Sequence, residues 1–486
     1  METARELTPQ RRMLILAICC MSLLMVGLDS TIVNVALPSI QRELHTSVSD
    51  LQWIIDAYTL VLASFLLLSG STADRLGRRR TFQTGLVAFT LGSLLCSLAP
   101  SLGWLVAFRA LQAIGGSMLN PVAVSIITNT FVEPRERARA IGVWGGVVGI
   151  SLALGPIVGG GLVETVGWRG IFWVNIPVGV AAIILVRLFV PESRAPRARA
   201  FDPVGQVLVI ITLAALTYGI IEGPGSGWTS PKILACFVAA VAALATLIRY
   251  EPRRADPLID LRFFRSAPFS GATVIAICAF AALGGFLLLS TLYLQDVRGY
   301  SALHAGLFIL PMALVTMVGA PIAGRIVGVW GPRLPLAVAG VAITASGLML
   351  TRLTATTSTG WLIGAFVVFG IGFGAVNAPI TNTAVSGMPR EQAGVAAAVA
   401  STSRQVGQSL GVAVIGSAAV SALAGSFKVG FPAASHAGWW IVTGCGAAVL
   451  LVGLLTSGRW ARGTAQRTAD RLMPAAPQPP VPAQLP

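Results

Sequence analysis

Apolar residues along this chain come in blocks of about 20, the length a helix needs to cross the ~30 Å hydrocarbon layer of a bilayer. Short polar gaps, often carrying glycine or proline, separate the blocks. The spacing predicts helices near residues 13–37, 51–72, 81–99, 102–128, 138–163, 170–190 and 203–222, then 231–249, 269–293, 303–329, 334–351, 359–385, 395–424 and 437–457. An even number of spans puts both termini on one side. The first block is too long for a signal-peptide core and has no small-x-small cleavage site, so it is expected to stay as helix 1.

The longer gaps divide the pattern into six helices (1–190), a pair of inserted membrane helices with cytoplasmic linkers (191–268), and six more helices (269–460). Residues 461–486 are rich in proline, alanine and glutamine and are expected to form a disordered cytoplasmic tail. The linker stretch from Asp256 to Arg265 has the spacing to lie amphipathically on the inner surface. A weak repeat relates the two sets of six. Residues 70–80 (GSTADRLGRRR) and 324–333 (GRIVGVWGPR) both make glycine- and arginine-rich turns after the second helix of a set, but the second has lost the acid. Gly328 and Val329 stand in its place.

Composition excludes a soluble globule. The 486 residues are 55% hydrophobic and 11% charged, against about 25% charged in ordinary soluble domains, and the mean hydropathy is +0.79. The net charge of +15 does not point to nucleic acid, because the basic clusters interleaved with aromatics that a nucleic-acid groove requires are missing. Instead, the arginines fall in alternate gaps. With both termini inside, inner segments hold 26 basic residues and outer loops 6, which by the positive-inside rule makes both termini cytoplasmic. Six cysteines lie inside apolar blocks with no Cys-x-x-Cys pair, as packing residues do.

The chemistry is confined to a few polar residues at membrane depth. Asp29 lies 8 residues from the predicted outer end of helix 1, about 12 Å deep. An isolated carboxylate there costs on the order of 2.5–3.5 kcal/mol, so it persists only where it is paired or hydrated. It either exchanges a proton or cation, or forms a structural ion pair. Arg109 lies 7 residues into helix 4 from the same side, about 11 Å deep. The matching depth allows it to meet Asp29 directly or through Gln112 and water; alternatively it orients helix 4 against backbone carbonyls. In helix 5, Gly155, Pro156 and Gly159 mark a kinked, closely packed contact where one bundle can seal against another. Asp74, Arg75, Gly77 and Arg78 form a charged turn, either a topology anchor or a gate in which Asp74 reaches a helix N-terminus of the opposite bundle. Glu222 and Asp56 lie near the outer ends of their helices, as coupling sites or interfacial carboxylates. Arg404 and Gln405, with Gln408, sit near mid-depth in helix 13 and are expected to face a cavity, as is Asn377 in helix 12. No Gly-x4-Gly-Lys phosphate loop or His-Glu-x-x-His zinc signature occurs, and the Gly407–Gly411 match to a hydrolase elbow lies within a membrane helix.

Taken together these residues resemble the major facilitator superfamily, in its fourteen-helix drug:proton antiporter branch. The helix 1 stretch LDSTIVNVALP (residues 28–38) is similar to that branch's first-helix motif, and 70–80 to the superfamily's gating loop. Arg109 with Gln112 and Gly115 resembles the proton-transfer motif, and Gly155-Pro156-x2-Gly159 the antiporter motif, with Ser151 where glycine is usual. The resemblance implies an all-α polytopic fold of two six-helix bundles plus a two-helix insert. It implies no enzymatic activity and a monomer in the inner membrane that needs no cofactor. It further implies export of small hydrophobic or amphipathic drug-like molecules or antibiotics in exchange for protons, with Asp29, Arg109 and Glu222 in coupling and Asn34, Gln112, Asn377, Arg404 and Gln405 lining the substrate cavity. The alternative is transport of a specific metabolite on the same scaffold.

Overall fold

The computed structural model describes residues 8–194, 201–254, 257–386, 388, 393–423 and 425–472, which form helices joined by short turns, with no strand among them. Each of the fourteen predicted spans is a helix. In order they are α1 (Pro9–Leu44), α2 (Val48–Leu76), α3 (Arg78–Ser97), α4 (Leu102–Thr130), α5 (Pro134–Val166) and α6 (Gly170–Phe189, broken for one residue at Val174). Next come the inserted pair α7 (Pro203–Ser226) and α8 (Pro231–Tyr250). The remaining spans are α9 (Ala267–Leu292), α10 (Ala302–Trp330), α11 (Arg333–Leu350), α12 (Thr359–Val385), α13 (Ala393–Ser421) and α14 (Phe427–Thr456).

Local chemistry sets the ends. Ser47 and Asp50 form a reciprocal capping box at the start of α2, so two otherwise orphaned backbone donors are satisfied where the chain leaves the apolar layer. Proline occupies the first turn of α1, α5, α7 and α8, where its missing N–H costs nothing. Helix α1 runs seven residues past its predicted end, straight through Pro38. Its last turns project beyond α4, and Glu43 there accepts from Trp168 Nε1 at 2.8 Å and pairs with Arg169.

Helices α1–α6 pack among themselves, as do α9–α14; α7 and α8 pair with each other, and α7 also lies along α2 and α13. The two sets of six meet where α5 crosses α10 and α2 crosses α13. Both crossings use close-approach glycines at the end of the molecule away from residues 8 and 472. A Cβ on Gly160 would lie 2.5 Å from Leu303 Cα, and one on Gly306 would strike the Pro156 carbonyl. Gln52 Nε2 donates to Val412 O at 3.0 Å, and Gln295 Nε2 to Val35 O at 2.8 Å. At the opposite end, which holds residues 8 and 472, Gly142, Gly145, Gly146 and Gly328 have nothing near a would-be Cβ, and Ile141, Val143, Val329 and Trp330 are exposed. The two sets therefore pack closely at the end away from residues 8 and 472, and leave these α5 and α10 positions uncovered at the other end.

Two sequence expectations need correction. The tail is not irregular from residue 461, because α15 (Arg459–Leu472) is a helix. Its Ala461, Ala465, Thr468 and Leu472 are buried, a spacing that puts all four on one face, docked beside α9 and the 261–265 turn. Thr464 Oγ1 accepts from Ala267 N at 2.9 Å. The proline-rich part that suggested disorder, 473–486, lies outside the described residues. The inner linker also does not lie flat on a surface. Leu261–Arg265 forms a single 3-10 turn that inserts Phe263, 1% exposed, edge-on against Phe269, and Asp256 lies outside the described residues.

Candidate functional site

Asp29 is fully buried at the centre of a polar cluster that four helices of the first set build and a fifth covers. Arg109 Nη1 of α4 donates to Asp29 Oδ2 at 2.5 Å. Gln112 Nε2, one turn along α4, donates to Oδ1 at 2.8 Å, and Asn175 Nδ2 of α6 donates to the same oxygen at 3.1 Å. Gln112 also returns an acceptor to Arg109 Nη1 at 2.7 Å. Ser93 of α3 accepts from Gln112 at 2.7 Å and from Asn175 at 3.3 Å. On the far side, α2 supplies the Ile54 carbonyl to Arg109 Nε at 3.3 Å and the Tyr58 ring, 4.2 Å below the guanidinium.

The sequence spacing explains this convergence. Arg109 and Gln112 are three apart and so share one face of α4. The break at Val174 starts the longer piece of α6 at Asn175, which turns its amide inward. Without a charge partner a buried carboxylate or guanidinium is costly. Here each is paired, and Oδ1 of the acid takes two further N–H donors. The matched-depth prediction for Asp29 and Arg109 is met with direct contact.

Around this core the predicted residues separate. Gln112 and Asn34 do not line a cavity. Gln112 is fully buried in the cluster, and Asn34, 3% exposed, donates to Ser30 O of its own helix at 3.1 Å. Glu222 lies apart from Asp29, on α7, where it accepts from Trp53 Nε1 of α2 at 2.8 Å. Asn377, Arg404 and Gln405 are half-buried. Arg404 donates to Thr381 Oγ1 at 2.5 Å and Ser401 Oγ at 3.4 Å, and among the described residues no carboxylate forms an ion pair with it.

The charged turn is also built differently from its prediction. Asp74 does not reach the opposite bundle; it pairs with Arg78 of its own turn at 3.2 Å, while Arg75 is exposed. The acid at a helix N-terminus is Glu192, at the end of α6, which accepts from Arg79 N at 3.1 Å and lies 3.8 Å from Arg80. Gly77 turns there with φ +111°, and a Cβ on it would meet the Glu192 carboxylate at 2.6 Å.

The helix 5 glycines do what their spacing suggests. Gly155 and Gly159 let α5 close on Thr31 and Ile32 of α1, one turn from Asp29, and Gly160 faces α10. Helix α5 thus touches both the helix that carries the buried acid and the opposite set of six.

Fourteen helices, twelve of them long and apolar enough to cross a membrane, in two sets of six that meet closely at one end, with a buried ion pair, define a multi-pass α-helical membrane protein built as a transporter. The family model described as Major Facilitator Superfamily matches residues 19–412, and the chain belongs to that superfamily. It is 38% identical over 397 residues to the multidrug resistance protein Stp of Mycobacterium tuberculosis, covering 82% of this chain and 74% of that protein. It is 41% identical over 396 residues to the tetracenomycin C resistance and export protein of Streptomyces glaucescens, with 81% and 73% covered. To the puromycin resistance protein of Streptomyces alboniger it is 37% identical over 405 residues, with 82% and 80% covered. Its relatives are drug and antibiotic efflux and resistance proteins.

Solved structures share the fold. The human organic anion transporter MFSD10 superposes with a TM-score of 0.63 at 17% identity, over 92% of this chain and 100% of that one. A bacterial homologue of the lysosomal transporter Spinster, in an inward-facing unoccupied conformation, gives 0.62 at 18% identity, over 96% and 98%.

Proposed function

We propose that this protein exports hydrophobic or amphipathic drug-like molecules from the cytoplasm in exchange for protons, with Asp29 as the exchanging acid. The observation that carries the reading is the buried Asp29–Arg109 pair at 2.5 Å, a pair costly to keep inside a bilayer and unnecessary for packing. The arginine distribution supports a cytoplasmic position for the end that holds residues 8 and 472, where cargo partitioned from the inner leaflet enters. Protonation of Asp29 removes the counter-charge of Arg109, so α4 and α1 no longer hold each other as strongly. Helix α1 is locked to α5 through Gly155 and Gly159, and α5 meets α10 at Gly160 and Gly306. A shift of α1 therefore reaches the outer seam through two close contacts. Asp29 takes its proton from the outer water after cargo has left, and rocking of the two sets then returns the proton-loaded cleft to the cytoplasmic side, where the proton is released. The membrane potential supplies about 2.3 kcal/mol per charge per 100 mV, in addition to any pH gradient.

The test is expression in a host stripped of its own pumps, with a panel of antibiotics and dyes and fluorescent-dye flux in inverted vesicles. Raised resistance together with proton-dependent accumulation into inverted vesicles is expected. Accumulation into right-side-out vesicles instead would make the protein an importer and refute the export reading.

A further inference from the structure

The Asp29 cluster is contained within the first six helices and reaches the seam between the two sets through α5, whereas a second buried acid, Asp56, lies beside the seam itself. From the packing at that seam we propose that Asp56 is a second proton-binding carboxylate, and that its protonation is the condition for the outer end to close. This rests on the alternating-access reading above and adds a site to it.

Asp56 lies on α2 one turn inward from Gln52, the residue whose amide crosses the seam to Val412 O at 3.0 Å and Ala413 O at 3.3 Å. Asp56 is 0% exposed. Its Oδ1 accepts only from Thr59 Oγ1, at 3.3 Å, and its Oδ2 has no partner. Across the seam on α13 stands Ser409, whose own hydroxyl is also without a partner.

No cation reaches this acid. On α4, Arg109 contacts Ile54 O and the Tyr58 ring. Asp56 is two residues from each and so about 200° round the helix from both, on the opposite face. Asp29 of α1 is engaged by Arg109. On α7, Glu222 is bound to Trp53. On α13, Arg404 is turned to Thr381 of α12. No basic residue of α9 lies within its span.

A carboxylate shut away from water and from every cation is costly to keep charged. A proton on Oδ2 turns that oxygen into a donor facing Ser409 Oγ, so one hydrogen satisfies two orphaned atoms. The step balances simply. As the seam closes, hydronium in the outer water gives a proton to Asp56, forming the Oδ2–H bond and leaving water. As the seam opens, that bond breaks to an entering water.

The experiment is a distance measurement on the full chain in lipid nanodiscs, with no cargo and no gradient. Spin labels are placed at Thr46→Cys and Ser421→Cys, at the outer ends of α2 and α13, with the six native cysteines changed to alanine. The wild type is expected to populate the short distance at low pH and the long distance at high pH. The ratio of short to long distance should fall as pH rises, by no more than about tenfold per pH unit for each linked proton. Asp56→Asn should hold the short distance throughout. Ser409→Ala, which removes only the acceptor of the proton, should move the midpoint to lower pH.

A pH response unchanged in both Asp56→Asn and Ser409→Ala overturns the proposal. So does a response to sodium at constant pH, which would make the site a cation site. Because the measurement needs no transport, its failure leaves the export reading standing, and an absence of drug efflux would leave Asp56 as a proton-linked seam.

Discussion

If Asp29 and Arg109 act as one unit, neutralising both should cost far less than the two single neutralisations combined. Asp29→Asn keeps the side-chain shape and removes the charge, leaving a guanidinium 1% exposed with no counter-ion. Breaking a buried pair from one side costs about 3–5 kcal/mol, part of it offset by the Tyr58 ring under Arg109, worth about 0.5–2 kcal/mol. Arg109→Gln strands the carboxylate with only the Gln112 and Asn175 amides, at a similar cost. The double variant contains no buried charge and loses neutral hydrogen bonds of about 1 kcal/mol each, so it should cost about 2–3 kcal/mol. The cycle therefore predicts a coupling energy at or above the upper end of the roughly 0.5–3 kcal/mol seen for contacting residues. Unfolding in mixed micelles, followed by tryptophan fluorescence, measures all four corners. Additivity to within about 0.5 kcal/mol would refute the idea that the two charges form one unit.

Three other substitutions probe the surroundings. Gly160→Val places a side chain where a Cβ already lies 2.5 Å from Leu303 Cα, whereas Gly161 has open space. Gly160→Val should therefore hold the outer seam open and cut transport at least tenfold, while Gly161→Val stays near wild type in the same vesicle assay. Gly77→Ala meets both a φ of +111° and the Glu192 carboxylate, and should lower stability by about 1–3 kcal/mol; Glu192→Ala in the same chain should recover part of the loss by thermal unfolding. Asn175→Ala removes a donor from Asp29 and from Ser93. It should cost about 1–3 kcal/mol and slow drug efflux, and unchanged efflux would show that α6 does not help set the state of the acid.

The fold was legible because membrane helices write their length directly into the hydropathy pattern. The least apolar spans, α3 and α13, were found from their position between polar gaps. The Asp29–Arg109 contact was legible for a similar reason, since two opposite charges at one depth have few other partners. Their supporting residues were not. Asn175 and Ser93 look like ordinary polar residues in spans, and only the break at Val174 and the packing of α3 on α4 bring them inward. Gln112 was placed in the cavity because three residues from Arg109 fixes a helix face but not what that face meets. Of the two readings of the charged turn, the gate contact across the bundles is absent because Asp74 has a closer cation at i+4, leaving the helix start free for Glu192, which is distant in sequence. In the tail, composition averaged over 461–486 hid a one-faced spacing in the first twelve residues.

The most direct test of proton exchange at Asp29 is drug accumulation in proteoliposomes under an imposed pH gradient, comparing wild type with Asp29→Asn after cargo binding has been confirmed for both. The expected result is that the wild type concentrates cargo against its gradient, while Asp29→Asn still binds it and at most equilibrates it. Concentrative transport by Asp29→Asn at the wild-type rate would contradict the assignment.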